Sequence, residues 1–144
     1  MILLDTSILS LAYRRKYRAN DATPTEVLML RSLIDAHKPI MVPGIVTQEF
    51  LTGIREEAQF QKLQKIVMGF PIILATKLHH LEAARIANDC RRAGVITSTS
   101  DCLIAAVAIE QQAFLFTTDQ DFVYMAHHCP LRLFPQRATA VNVG

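Results

Sequence analysis

A chain of 144 residues, 51% of them apolar, is long enough for one domain with a genuine core and no disulfide support. A membrane-spanning helix needs ~20 apolar residues, and the longest candidate run here, Ile66 to Ala75, is broken by Gly69 and Pro71. The net charge of +2 is too small to mark a nucleic-acid binder, and three cysteines without a C-x-x-C argue for reduced thiols in a reducing compartment. Asp5 follows Ile2-Leu3-Leu4 at once, so no secretory signal is expected and a bacterial-type cytoplasm is the expected location.

Residues 2–5 read as a strand, followed by a helix from Ser7 to Tyr17. Thr23-Pro24-Thr25-Glu26 predicts a helix start with a capping box and proline at the first helical position. Val27, Leu28, Leu30, Leu33 and Ile34 carry that helix to His37. Pro39 to Pro43 is a short buried strand, and Pro43-Gly44 turns into a helix holding Glu49, Phe50 and Ile54. A polar amphipathic helix over residues 56–67 precedes a third strand, Ile72-Ile73-Leu74. Thr76 then caps a helix ending near Gly94, and Ser98-Thr99-Ser100-Asp101 is a run of capping residues before a helix to Gln112. Ala113 to Thr117 is the fourth strand, residues 121–127 a short helix, and Leu131-Arg132-Leu133 a fifth, edge strand. Strands alternating with helices predict an α/β fold of three layers, a central parallel sheet of about five strands covered by helices on both faces. The domain is expected over residues 1–134, with 135–144 a loose tail.

In such sheets the functional crevice lies outside the carboxyl ends of the strands. Asp5 and Asp119 fall at those ends, and Glu49 and Asp101 are expected in the first turns of helices that open onto the same edge. None of the four has a basic residue three or four positions away. Elsewhere the acids are neutralised, Asp35 by Arg31 and Lys38, Asp89 by Arg85 and Arg92. Each of the four has an ordinary reading, as a helix-start acid favoured by the macrodipole or as a turn former. Together they ask for a compensating cation, and a hard divalent metal on oxygen ligands is the economical one.

Tyr13-Arg14-Arg15-Lys16-Tyr17-Arg18 places four cations and two aromatics just after the Asp5 segment. The segment reads either as a solvated helix end or as an edge that tracks phosphates and stacks bases. No Walker loop, G-x-G-x-x-G or serine-elbow motif is present.

With Leu4-Asp5-Thr6-Ser7, Val46-Thr47-Gln48-Glu49-Phe50, Ser100-Asp101-Cys102-Leu103-Ile104-Ala105-Ala106 and Thr117-Thr118-Asp119-Gln120-Asp121-Phe122 in this order, the chain resembles the PIN-domain ribonucleases. Within them it is similar to the VapC-type toxins of bacterial toxin–antitoxin pairs. Ser7 stands where many members carry asparagine. The resemblance implies that Asp5, Asp101 and Asp119 bind Mg²⁺ or Mn²⁺, with Glu49 completing the shell or supporting a second ion. Thr118 would lend its hydroxyl to the centre, Thr6 and Ser7 would line it, and Asp121 would fix the following turn. The implied reaction is hydrolysis of an RNA phosphodiester to 5′-phosphate and 3′-hydroxyl ends, in a single-stranded loop such as those of tRNA or rRNA. Two partners are implied as well: a VapB-like antitoxin filling the cleft, and a second copy packed through the helices near residues 25–34 and 45–54. Rival readings are an inert PIN module that only binds RNA or protein, and a phosphatase or receiver domain with an aspartyl nucleophile. The latter lacks its expected second acid near Asp5 and a lysine after a late strand.

Overall fold

The computed structural model describes residues 1–135. Of the loose tail expected over residues 135–144, all beyond Pro135 lies outside the described residues. Five strands pair in parallel throughout: β1 (Ile2–Leu4), β2 (Ile40–Pro43), β3 (Ile72–Ile73), β4 (Phe114–Phe116) and β5 (Arg132–Phe134), in the order β3-β2-β1-β4-β5. All of β1 is buried although its side chains alternate between faces, which requires cover on both sides. This is the architecture that the alternation of elements predicts, with β5 at one edge.

The helices are α1 (Thr6–Leu9), α2 (Thr25–Asp35), α3 (Gly44–Leu51), α4 (Glu57–Val67), α5 (Lys77–Arg92), α6 (Thr99–Glu110) and α7 (Gln120–Met125). Most of α6 is buried, Cys102 and Ile104 to Ala108 lying on every side of it. A helix that is apolar all round belongs in the interior, and this one carries Asp101 inward on its first turn.

Three boundaries differ from expectation. The helix expected from Ser7 to Tyr17 is α1 followed by one π-helical turn, Ser10–Arg14, closed by the Arg15 N–H on the Ser10 carbonyl at 2.9 Å. It stops there because Arg15 to Arg18 are exposed and offer no apolar face to bury. The capping box at Thr23 is absent: Pro24 sits at the cap of α2, where no side chain bonds the helix end. Ile54 lies beyond α3, because the chain breaks at Thr52 and Gly53 turns away at φ +90°, a conformation that favours glycine.

The cap at Thr76 does form, and His79 completes it. The Thr76 N–H donates to His79 Nδ1 at 2.9 Å, so the His79 proton sits on Nε2 and is donated to Glu110 Oε1 at 2.7 Å. That bond ties the start of α5 to the end of α6 and holds the Glu110 carboxyl below its ordinary range. Within the sheet, the chain runs from β1 to β2 and β3 on one side, then returns to place β4 and β5 on the other. The crossover direction therefore reverses between β1 and β4, and at such a switch point the loops part and leave a crevice.

Candidate active site

Asp5 leaves β1 and Thr117 leaves β4 side by side at the switch point. Leu4 pairs with Phe116, and the Asp5 N–H donates to the Phe116 carbonyl at 3.0 Å. Asp5 is 4% exposed and caps α1. Its Oδ2 accepts from Thr117 Oγ1 at 2.7 Å, Ser7 Oγ at 2.8 Å and the Ser7 N–H at 3.4 Å. Burial raises its pKa, and the bonds from Thr117 and Ser7 offset part of that rise. The two hydroxyls are themselves fixed: Thr117 Oγ1 accepts the Asp119 N–H at 2.9 Å, and Ser7 Oγ accepts the Thr118 N–H at 3.0 Å.

Among the described residues the hydroxyl that bonds Asp5 and the Asp119 N–H is that of Thr117, not the Thr118 hydroxyl of the resemblance, and Thr118 is bonded through its backbone. Thr117 directly continues the buried run of β4, whereas Thr118 is exposed. A signal for it does exist in the sequence, since Thr-x-Asp is the spacing at which a threonine hydroxyl bonds the backbone two residues on.

Asp119 caps α7, accepting the Asp121 N–H at 2.9 Å. Asp101 stands in the first turn of α6, its N–H donated to Ser98 Oγ at 3.1 Å. Glu49, expected in the first turn of its helix, stands in the last turn of α3, because the helix already starts at Gly44, and its Oε1 accepts from Thr6 Oγ1 at 2.8 Å. The four acids converge, because the charges of Asp5, Asp119 and Glu49 all act on Asp101. Asp121 joins them in a way the turn role does not foresee. Carboxylate oxygens of Asp101, Asp119 and Asp121 lie within 4.8 Å of one another, one from each residue. Such a set of hard oxygen donors fits Mg²⁺ or Mn²⁺ and is unsuited to a soft ion.

Asp101 is pushed up to about 6, first by burial and then by the surrounding carboxylates, with a hydrogen bond to Ser98 working the other way. A raised folded-state pKa adds stability that is fully present below the ordinary carboxylate range and is lost as pH climbs through about 6. Metal-free protein should therefore lose stability between pH 5 and 7.5, and Asp101→Asn should flatten that slope. The difference between wild type and variant should be on the order of 1 kcal/mol, since partial exposure screens the full shift. Comparing the two proteins by urea unfolding in EDTA cancels contributions from the histidines. Parallel pH profiles would refute the electrostatic coupling of Asp101.

The basic segment divides. Arg15, Lys16 and Arg18 are exposed, whereas Arg14 turns its Nη1 onto the Phe50 carbonyl at 3.1 Å. Tyr13 packs against the core, leaving Tyr17 as the one ring of the pair at the surface. A groove of about 420 Å³ lined by Ser7, Ser10, Leu11, Arg14, Arg15 and Thr118 runs from this segment to Ser7, whose hydroxyl bonds Asp5.

The PIN domain family matches residues 2–127. The VapC ribonuclease Mb1587 of Mycobacterium bovis is 33% identical over 128 residues, which are 88% of this chain and 92% of that protein. Among solved structures, FitAcB from Neisseria gonorrhoeae superposes with a TM-score of 0.71 at 22% identity, covering 93% of this chain and 96% of the other. VapBC2 from Rickettsia felis, bound to a DNA fragment from its promoter, gives 0.71 at 21% identity over 92% and 97%. The two structures share the fold, and the sequence match extends across nearly the whole chain: it belongs to the PIN-domain family and, within it, to the VapC ribonucleases.

Proposed function

We propose that this chain is the ribonuclease toxin of a VapBC-type pair, a cytoplasmic Mg²⁺- or Mn²⁺-dependent endonuclease acting on a single-stranded RNA loop. The observation that carries the reading is the convergence of Asp5, Glu49, Asp101 and Asp119 beside a groove edged by arginine. Asp5, Asp101 and Asp119 would hold the cation, with Glu49 and Asp121 completing or adjusting its surroundings. When bound, such a cation supplies an activated water and offsets charge building on the phosphoryl oxygens. The protein's own part is positional. Thr117 and Ser7 lock the Asp5 carboxylate, Thr6 orients Glu49, and the buried α6 fixes the backbone that carries Asp101. A module that only binds RNA has no need of this network, which speaks for catalysis over the inert alternative.

Arg15, Lys16 and Arg18, exposed beside the groove, would meet the phosphates of the strand as it enters. Replacing two of them by Gln should weaken RNA binding across sequences and reduce the log–log salt slope by about 0.7 per lost contact on a single strand. Filter binding at several salt concentrations, in an Asp101→Asn background that prevents cutting, reads this. An unchanged slope would return these residues to a solvated surface.

For partners, the reading implies a VapB-like antitoxin over the cleft and a second copy of the chain. The copy would meet α2, which leaves Leu28 50% and Ile34 39% exposed. Among the described residues no helix is long and apolar enough to cross a membrane. The activity itself is tested by incubating purified protein with RNA and either cation, then mapping product ends. Cleavage leaving 5′-phosphates, abolished by EDTA, is the expected result; 2′,3′-cyclic ends would point to a metal-free mechanism.

A further inference from the structure

We propose that Arg14 is a positioning residue for Glu49, acting through the end of α3, and not a contact for RNA; this rests on reading the acidic cluster as a ribonuclease centre. Two residues after Glu49 the helix is finished. The Thr52 N–H closes on the Gln48 carbonyl, Gly53 turns the chain away, and the Ile54 N–H bonds the Leu51 carbonyl. Among the described residues no backbone N–H reaches the carbonyl of Phe50, a residue whose side chain is fully buried. A helix-end carbonyl left bare beside the core is unfavourable, and Arg14 Nη1 provides the missing donor at 3.1 Å.

The same short segment also holds the Glu49 side chain, through Thr6 Oγ1 at 2.8 Å. Residues 6–14 therefore hold the end of α3 at two points, the Glu49 carboxylate and the carbonyl of the next residue, Phe50. The π-helical turn makes this possible. One extra residue in a turn offsets what comes after by about 100° around the helix axis, relative to an unbroken α-helix. Arg14, at the end of the widened turn, faces α3, while Arg15 is extended and leads the chain into solvent. A guanidinium has a rigid fork of donors for this, and a lysine in its place could still make the single bond to Phe50.

The test compares Arg14→Met, Arg14→Lys and Glu49→Gln, singly and combined, with Arg15→Gln as the reference for a lost phosphate contact. Three quantities are measured: cleavage kinetics with Mn²⁺, RNA affinity in the Asp101→Asn background, and Mn²⁺ affinity of the RNA-free protein by titration calorimetry. Arg14→Met should lower kcat by about tenfold or more and weaken Mn²⁺ binding, as loss of a supporting contact does. RNA affinity and its salt slope should stay at wild-type values, and Arg14→Lys should recover most of the loss. In Glu49→Gln protein, Arg14→Met should add little, because both act on one group. A salt slope reduced by about 0.7 in Arg14→Met, matching Arg15→Gln, would make Arg14 an RNA contact and overturn the proposal. Full additivity with Glu49→Gln, or a lowered melting temperature with normal kinetics and metal binding, would overturn it as well. Because the Mn²⁺ titration uses no RNA, the coupling of Arg14 to Glu49 is decided even if wild-type protein proves not to cut RNA.

Discussion

Asp101→Asn is expected to lower metal-supported RNA cleavage by about 10³-fold or more, which corresponds to about 4 kcal/mol of transition-state stabilisation. The substitution exchanges a charged oxygen for a neutral amide at the point where the charges of Asp5, Asp119 and Glu49 already act. It touches little that holds the fold. The cap of α6 is Ser98, and the buried faces of that helix belong to Cys102 and to residues 104–108. Removing one of several like charges should, in the absence of metal, leave the protein as stable as wild type or more so near pH 7. Loss of activity with retained stability therefore separates a ligand from a structural residue. Asp5→Asn should be similarly inactive but less well folded, since its carboxylate is buried and accepts the Thr117 and Ser7 hydroxyls. Asp101→Asn cleaving RNA at the wild-type rate, or wild type cleaving undiminished in excess EDTA, would sink the metal centre.

Thr117→Val should cost about 10- to 100-fold in activity or metal affinity, the range usual for a group that orients a ligand. Valine matches the shape of threonine but removes two bonds, the donation to Asp5 Oδ2 and the acceptance of the Asp119 N–H. Asp5 and Asp119 then lose their common brace while both carboxylates remain. Stability should fall by about 2 kcal/mol, the usual size for two net hydrogen bonds, while Ser7 still donates to Asp5. Thr117→Ser should keep activity. Thr118→Val is the decisive control: its backbone N–H still reaches Ser7 Oγ, so its rate should stay within about threefold of wild type. Equal losses in the two valine variants would refute the assignment of the brace to Thr117.

The order of elements was legible because it rests on local physics. Short apolar runs separated by capped amphipathic stretches can bury themselves only as a covered parallel sheet, and the caps at Thr76 and Ser98 form as their residue types predict. Where local rules competed, the sequence was ambiguous. Thr23 and Pro24 offer a capping box, but proline takes the cap position and the box does not close. The first helix keeps its start yet loses its last turn, since a charged run gains nothing from continuing it.

Asp5 and Asp119 after strands and Asp101 at a helix start were legible in the sequence as acids with no local partner, and their need for a common counter-charge follows from that isolation; Glu49, expected at a helix start, stands instead in the last turn of α3. The tertiary structure alone decided which neighbours serve them. Thr117 lies 112 residues from the carboxylate it braces, and Glu49 lies 43 residues from Thr6. The approach of Asp121 to Asp101 and the turning of Arg14 toward Phe50 likewise depend on elements far apart in the chain. Such pairs are set by the register of β1 against β4 and by the packing of α1 on α3. No periodicity within a single segment encodes them, because a side chain's partner across the fold is fixed only when the backbones that carry both have met.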